Sequence, residues 1–149
     1  MKMKITEALR GEHGVFYTQF HSLQQTVSSA NAVEQVQALV TLLATALEQH
    51  AQLEDDLLFT ALDPHLGPMG PLAVMRREHD EIRETLARLQ TLQDPAEAKH
   101  LALHAVQVAL AHFAKEEQVL FPMAEQFLDA ATLTQLGKRW AEQRGVSVS

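Results

Sequence analysis

The sequence predicts an all-α protein: an up-down-up-down bundle of four long helices with a short fifth helix near the C-terminal end. Three observations carry this expectation. Apolar residues recur at steps of three and four throughout the chain, and period-two alternation never persists long enough for a strand. Residues that start or stop helices punctuate the apolar runs. The segments between the long runs are short, as antiparallel helical hairpins require.

The first helix is expected over about residues 5–29, ending in the polar cluster SSAN. Asn31 followed by Glu34 has the form of a capping box, opening a second helix that runs to about Leu62. The segment DPHLGPMGP (63–71) should break the chain, with three prolines and two glycines. Pro71 suits the first position of a third helix, which continues to about Gln93. Asp94-Pro95 with Glu97 starts a fourth, expected to bend at Pro122 because proline cannot donate to the preceding turn. The fifth, about 130–143, carries Leu133, Leu136 and Trp140 on one face and ends before Gly145, lying across the bundle as a cover. No linker or low-complexity tract divides the chain, so residues 1–149 are read as one domain.

Composition narrows the function classes. The chain has 149 residues, enough for a sizeable core, and 46% are hydrophobic. A net charge of −7 argues against nucleic acid or an anionic membrane surface as the main partner, since both demand a basic face. There is no cysteine, which excludes disulfides, zinc–thiolate sites, iron–sulfur clusters and thiol nucleophiles, and fits a reducing cytoplasm. No apolar stretch has the length of a signal-peptide core or a membrane span, so a cytoplasmic location is expected. Eight histidines stand against one Trp and one Tyr.

Those histidines are placed coherently. The inward stripe of the first helix reads Ile5, Leu9, His13, Phe16, Phe20, Leu23, Val27. The second gives Val36, Val40, Leu43, Leu47, His50, Glu54, Leu57, Ala61; the third gives Leu72, Met75, His79, Ile82, Leu86, Leu89. The fourth gives Leu101, Ala105, Val108, His112, Glu116, Val119, Met123. Each long helix thus brings one histidine to its core face, and the second and fourth add a glutamate one turn later. At a rise of about 1.5 Å per residue, His13 lies about 23 Å from the end of its helix and His50 about 27 Å from the start of the next. His79 and His112 lie about 21 and 25 Å from the corresponding ends. In antiparallel neighbours these groups share one level. The halves also repeat: Glu12-His13 echoes Glu78-His79, and His50, Glu54, Leu58-Phe59 echo His112, Glu116, Leu120-Phe121 at offsets of 62–66 residues.

One buried histidine is ordinarily a hydrogen-bonded packing residue. Four imidazoles and two carboxylates in a single apolar layer would cost several kcal/mol for each charged group unless paired. Two cations, each taking two imidazoles and sharing bridging glutamates, explain both the layer and its repetition. The nitrogen and carboxylate donor set suits iron, manganese or zinc, and carboxylate bridging favours a non-haem di-iron centre.

The order His13, His50-x-x-x-Glu54, His79, His112-x-x-x-Glu116 resembles the hemerythrin-like (HHE cation-binding) domain. The Glu-His pairs at 12–13 and 78–79 and the run EEQVLFP at 116–122 are similar to that family's recurring phrases, and the resemblance covers about residues 5–128. It implies a four-helix bundle holding an oxo- or hydroxo-bridged di-iron site. His13 and His50 would serve one iron, His79 and His112 the other, with Glu54 and Glu116 bridging. The chain departs from the oxygen-carrying members at two points. Arg83 stands where they have a fifth histidine, and Glu117 where they have an aspartate five residues after the last histidine. The resemblance therefore implies sensing, redox chemistry or iron handling rather than reversible oxygen transport.

Several other residues invite attention. Tyr17, one turn after His13, either reaches the metal pocket or, the favoured reading, packs at the boundary with its hydroxyl in solvent. Glu12 and Glu78 either accept hydrogen bonds from the candidate ligands or are solvated charges. Glu97-x-x-His100 imitates a ferritin-type motif, but it is single and sits at a helix start, so it reads as surface, as do His104, His21 and His65. The expected function is to bind or sense O2, NO or another small oxidant, or to handle iron. The alternatives are a di-iron enzyme reducing peroxide or NO, and a helical interaction protein that binds no metal.

Overall fold

The structure, a computed structural model, describes residues 2–148 and is helical throughout, with no strand among the described residues. Helix α1 spans Ile5–Ser28 and opens with the Glu7 carboxylate accepting from the Lys4 backbone N–H at 2.8 Å. Helix α2 spans Val33–Leu53, passes through a π-helical turn at Glu54–Phe59, and continues as α3, Thr60–Leu66. Helix α4 is Pro71–Leu89 and α5 is Pro95–Lys115. A second π turn at Glu116–Leu120 leads into α6, Phe121–Phe127, and α7 spans Ala130–Arg144.

Several boundaries differ from the sequence expectation. The cap of α2 is Ala32, not Asn31, and its helper is Gln35, not Glu34: the Gln35 side-chain oxygen accepts from the N–H groups of Asn31 (2.6 Å) and Ala32 (3.2 Å). The second rod does not break at Asp63. It runs through Pro64 to Leu66 and ends at Gly67, whose φ of 74° favours glycine. Helix α4 ends at Leu89 instead of Gln93, because the Gln37 side-chain amide lies 3.1–3.3 Å from the carbonyls of Leu89, Gln90 and Leu92 and satisfies the helix end. At Pro122, where a bend was expected, the ladder changes register just before the proline, which falls in the first turn of α6.

The π turns also displace the inward stripe. Each inserts an extra residue into the turn, rotating everything downstream by about one position. Leu62 is buried in place of Ala61, and Leu120 and Ala124 in place of Val119 and Met123; Val119 is 52% exposed. Upstream, Leu101 and Val108 are only half-buried, and α5 presents Ala98, Ala102, Val106 and Ala109 instead.

The elements form a helical bundle. Helix α1 packs against α2 and α5, α4 packs against α5 and α2, and α7 lies against α1. Close approach of α7 depends on Gly137: a Cβ there would meet the Met3 carbonyl oxygen at 2.0 Å. Two hydrophobic clusters fill the interior. One gathers Phe16, Phe20, Leu43, Leu47, Ile82, Leu86 and their neighbours; the other gathers Ile5, Leu9, Leu57, Leu62, Met75, Phe121 and theirs. Between them, in sequence position on every rod, lies the layer of histidines and glutamates.

Candidate metal centre

All six polar residues of that layer are buried: His13, Glu54 and Glu116 are fully inaccessible, and His50, His79 and His112 are 1–3% exposed. The structure gathers them into two overlapping groups. His13, His50, Glu54 and Glu116 offer one set of donor atoms within 4.8 Å of one another, and Glu54, His79, His112 and Glu116 offer a second. Glu54 Oε1 lies 2.9 Å from His50 Nε2 and 3.4 Å from His79 Nε2. Glu116 Oε1 lies 3.1 Å from His112 Nε2 and 3.4 Å from His13 Nε2. Each glutamate therefore touches one imidazole of either group. Both begin a π turn, where the local loosening of the helix re-aims a side chain.

The inner atoms have no ordinary partner. The Nε2 atoms of all four histidines and all four oxygens of Glu54 and Glu116 are buried without a hydrogen bond. Buried polar atoms are nearly always satisfied, and each orphan costs on the order of 1–3 kcal/mol. Eight orphans converging on one point are what a pair of cations would satisfy, and nitrogen and carboxylate donors without sulfur fit iron, manganese or zinc.

Outside the ring of imidazoles stands a ring of carboxylates. Glu12 Oε1 lies 2.7 Å from His50 Nδ1, Glu78 Oε1 3.0 Å from His112 Nδ1, and Asp55 Oδ1 3.2 Å from His79 Nδ1. For His13 the nearest is Glu117 Oε2, 3.5 Å from Nδ1. A carboxylate can only accept, so at His50, His79 and His112 the ring proton belongs on Nδ1 and Nε2 faces inward with its lone pair, whereas His13 Nδ1 makes no hydrogen bond. Each outer carboxylate adjoins one candidate ligand in sequence yet serves a histidine on another rod. Glu12 and Glu78 thus act as acceptors and are not solvated charges. Asp55 and Glu117 were not expected in this role; the available signal was the acidic residue directly following each inner glutamate, repeated at an offset of 62.

These carboxylates are themselves anchored, each differently. Glu12 receives Trp140 Nε1 at 2.7 Å and Arg144 Nε and Nη2 at 2.7 and 2.9 Å, all from α7. Glu78 receives Lys115. Asp55 Oδ2 lies 3.5 Å from Arg83 Nη2. Glu117 receives the Tyr17 hydroxyl, so, of the two readings for Tyr17, the hydroxyl is tied to the edge of the site and not free in solvent.

Electrostatics follow the contacts. Burial would raise the Glu12 carboxyl, but hydrogen bonds from His50 and Arg144 outweigh it and hold the pKa at about 2. Burial opposes charge on His50 and His79, yet the neighbouring carboxylates, Glu54 for both with Glu12 at one and Asp55 at the other, raise each to about 9. At His13 and His112 burial dominates and depresses each to about 4. Burial likewise penalises the Glu54 carboxylate, but His50 and His79 hold its pKa well below the usual range.

Aromatic rings shield the layer. Phe113 stacks on His13 at 3.9 Å between centroids, Phe121 lies 5.5 Å from His13, and Phe59 lies 5.5 Å from His79. The remaining histidines, His21, His65, His100 and His104, are exposed and outside the cluster.

With this geometry in view, the chain belongs to the hemerythrin family: it matches the hemerythrin HHE cation binding domain over residues 4–124. Among curated proteins it is similar to an iron-sulfur cluster repair protein YtfE of Musicola paradisiaca (strain Ech703), 33% identical over 100 residues. That match covers 58% of this chain and 45% of the relative, so the chain spans less than half of the relative's length. No solved structure gives a significant match. No helix of the described residues is long and apolar enough to cross a membrane.

Proposed function

We propose that this protein holds two iron ions between His13, His50, Glu54, His79, His112 and Glu116, and uses them to bind or sense O2, NO or another small oxidant. The observation that carries this reading is the convergence of eight buried donor atoms that nothing else in the fold satisfies. Two irons there would supply one-electron redox chemistry and affinity for small diatomic ligands; manganese or zinc would satisfy the donors without that full repertoire.

The chain's own residues do the rest. His13 and His50 face one position, His79 and His112 the other, and Glu54 and Glu116 span both. Asp55, Glu12 and Glu78 hold protons on the Nδ1 atoms of their histidines, keeping Nε2 free to ligate. Phe59, Phe113 and Phe121 keep bulk water from the imidazoles. A single domain, with α1 and the α2–α3 rod antiparallel and α4 and the α5–α6 rod likewise, accounts for the level at which the groups meet. The printed name of the Musicola relative favours a second reading, iron handling in cluster repair, through the same residues. A cytoplasmic setting is part of the proposal and agrees with the absence of cysteine.

The test is metal analysis with an optical spectrum of freshly purified protein. Two irons per chain are expected; a protein with no stoichiometric metal after growth in iron-replete medium would sink the reading.

A further inference from the structure

Formal charge is spread along the chain except in one stretch. There are 12 basic and 19 acidic residues, yet residues 13–47 contain a single one of them, Glu34. The internal repeat supplies the comparison. It maps α1 onto α4 at an offset of 66 and α2 onto α5 at an offset of 62, and the matching stretch, 79–109, holds eight charged residues. Both stretches pack on the same apolar cluster, so the core does not explain the difference. It lies on the outer face of the α1–α2 hairpin.

That face has relief. Leu42, on α2, is 82% exposed. Two grooves meet at it, both formed by this hairpin alone. One, of about 240 Å³, is walled by Gln19 and Thr26 of α1 and Leu39 of α2; the other is walled by Thr26, Gln35 and Ala38. Water leaves such a surface at little cost. The hydroxyls of Thr26, Thr41 and Thr45 already donate to carbonyl oxygens of their own helices, those of Ser22 (2.9 Å), Gln37 (2.7 Å) and Thr41 (3.2 Å). Covering them leaves no donor unpaired.

Charge decides what covers the face. A different protein is steered and held by charges opposite to this chain's own, and the hairpin end offers almost none. A second copy brings −7 against −7, and approaches closely only through a surface free of charge. Around a two-fold axis the same patch meets itself, so every charge there would face its like. A glutamine amide both donates and accepts, and pairs with its own copy. The protruding leucine and the grooves beside it also occupy one patch, so each copy offers the other both knob and hole.

We propose that the outer face of α1–α2 binds a second copy of this chain, giving a two-fold dimer in which Leu42 of each copy enters a groove beside Leu42 of the other. The inference does not depend on the metal reading, since none of the candidate ligands lies on this face.

Sedimentation velocity of the purified chain over a micromolar concentration series tests it. The wild type is expected to be a dimer. Leu42→Glu should weaken that dimer about a hundredfold or more, because two leucines lose their burial and two like charges are brought together. Ala38→Glu should act in the same direction. The counterpart of Leu42 at an offset of 62 is His104, which is exposed on α5, and His104→Glu should leave the dimer intact. Added salt should tighten the wild-type dimer by screening the repulsion between two acidic chains. A wild type that stays monomeric, or a dimer that survives both Leu42→Glu and Ala38→Glu, overturns the proposal. So does equal dissociation by His104→Glu, or a dimer that salt loosens. Leu42 and Ala38 are both exposed, so circular dichroism should show unchanged helix; loss of helix in both variants would make the face part of the fold and overturn it as well.

Discussion

The hairpin α1–α2 and the hairpin α4–α5 bring the same donors to the centre but surround them differently. In the first, His13 is covered by Phe113 and Phe121 from α5 and α6, and Trp140 and Arg144 of α7 anchor the carboxylate behind His50. In the second, His79 and His112 border a cavity lined by Ile82 and Leu86 and closed by Ala51 and His50 of α2, and Arg83 and Lys115 adjoin the carboxylates behind them. Protonation breaks the symmetry along another line. At His13 and His112 burial wins and depresses the imidazole, whereas at His50 and His79 hydrogen-bonded carboxylates, Glu54 with Glu12 or Asp55, outweigh it and raise the imidazole. A repeat that preserves the donors can thus make its two positions unequal through the residues packed around them.

The largest expected effect erases the comparison. Glu116→Ala or His112→Ala removes a donor, and metal content measured by elemental analysis should fall from two ions per chain to one or none; unchanged content in both variants would refute the ligand assignment. Leu120→Ala should then destabilise the chain by about 2–5 kcal/mol in denaturant unfolding, whereas Val119→Ser should stay within about 0.5 kcal/mol. Equal effects would mean that the second π turn does not shift the stripe.

Next in size is the outer ring. Arg144→Ala releases Glu12 and should weaken metal binding about 10–100-fold at the His13/His50 position, with Arg144→Lys recovering part of it. Lys115→Ala should cost the other position less, since that lysine is half exposed. Calorimetric titration of the two sites distinguishes them, and equal losses would remove the asymmetry.

The pH dependence sharpens the second line of inequality. Without metal, His13 and His112 bind protons more readily in the unfolded chain, so their contribution is intact above about pH 6.5 and lost as pH falls toward 4. His50 and His79 bind protons more tightly when folded, so their contribution is complete below about pH 6.5 and lost as pH rises through 9. Stability of the metal-free chain should therefore peak near neutrality in thermal melts. Because loading must displace the protons facing Glu54, binding heats should vary with buffer ionisation enthalpy, and affinity should rise from pH 6 toward 9. Heats independent of the buffer would remove this account of His50 and His79.

Much of this was legible in the sequence. The spacing of His13, His50, His79 and His112 on apolar faces placed them at one level, and Asp94 and Pro95 marked the start of α5 as found. What escaped was whatever breaks helical periodicity or spans rods. A π turn leaves no mark in a 3.6-residue pattern, so Val119 was read inward when Leu120 takes that place. The roles of Asp55 and Glu117 depend on which rod lies opposite. Their repetition at an offset of 62 is visible only once the inner glutamates are known.

One bond at the edge of the site has an optical consequence. Trp140 is the chain's sole tryptophan, and its indole N–H ends on the carboxylate that also holds His50. Excited at a wavelength tyrosine barely absorbs, the protein emits from a single fluorophore two hydrogen bonds from the core. Its colour and quenching would report loading without any added label.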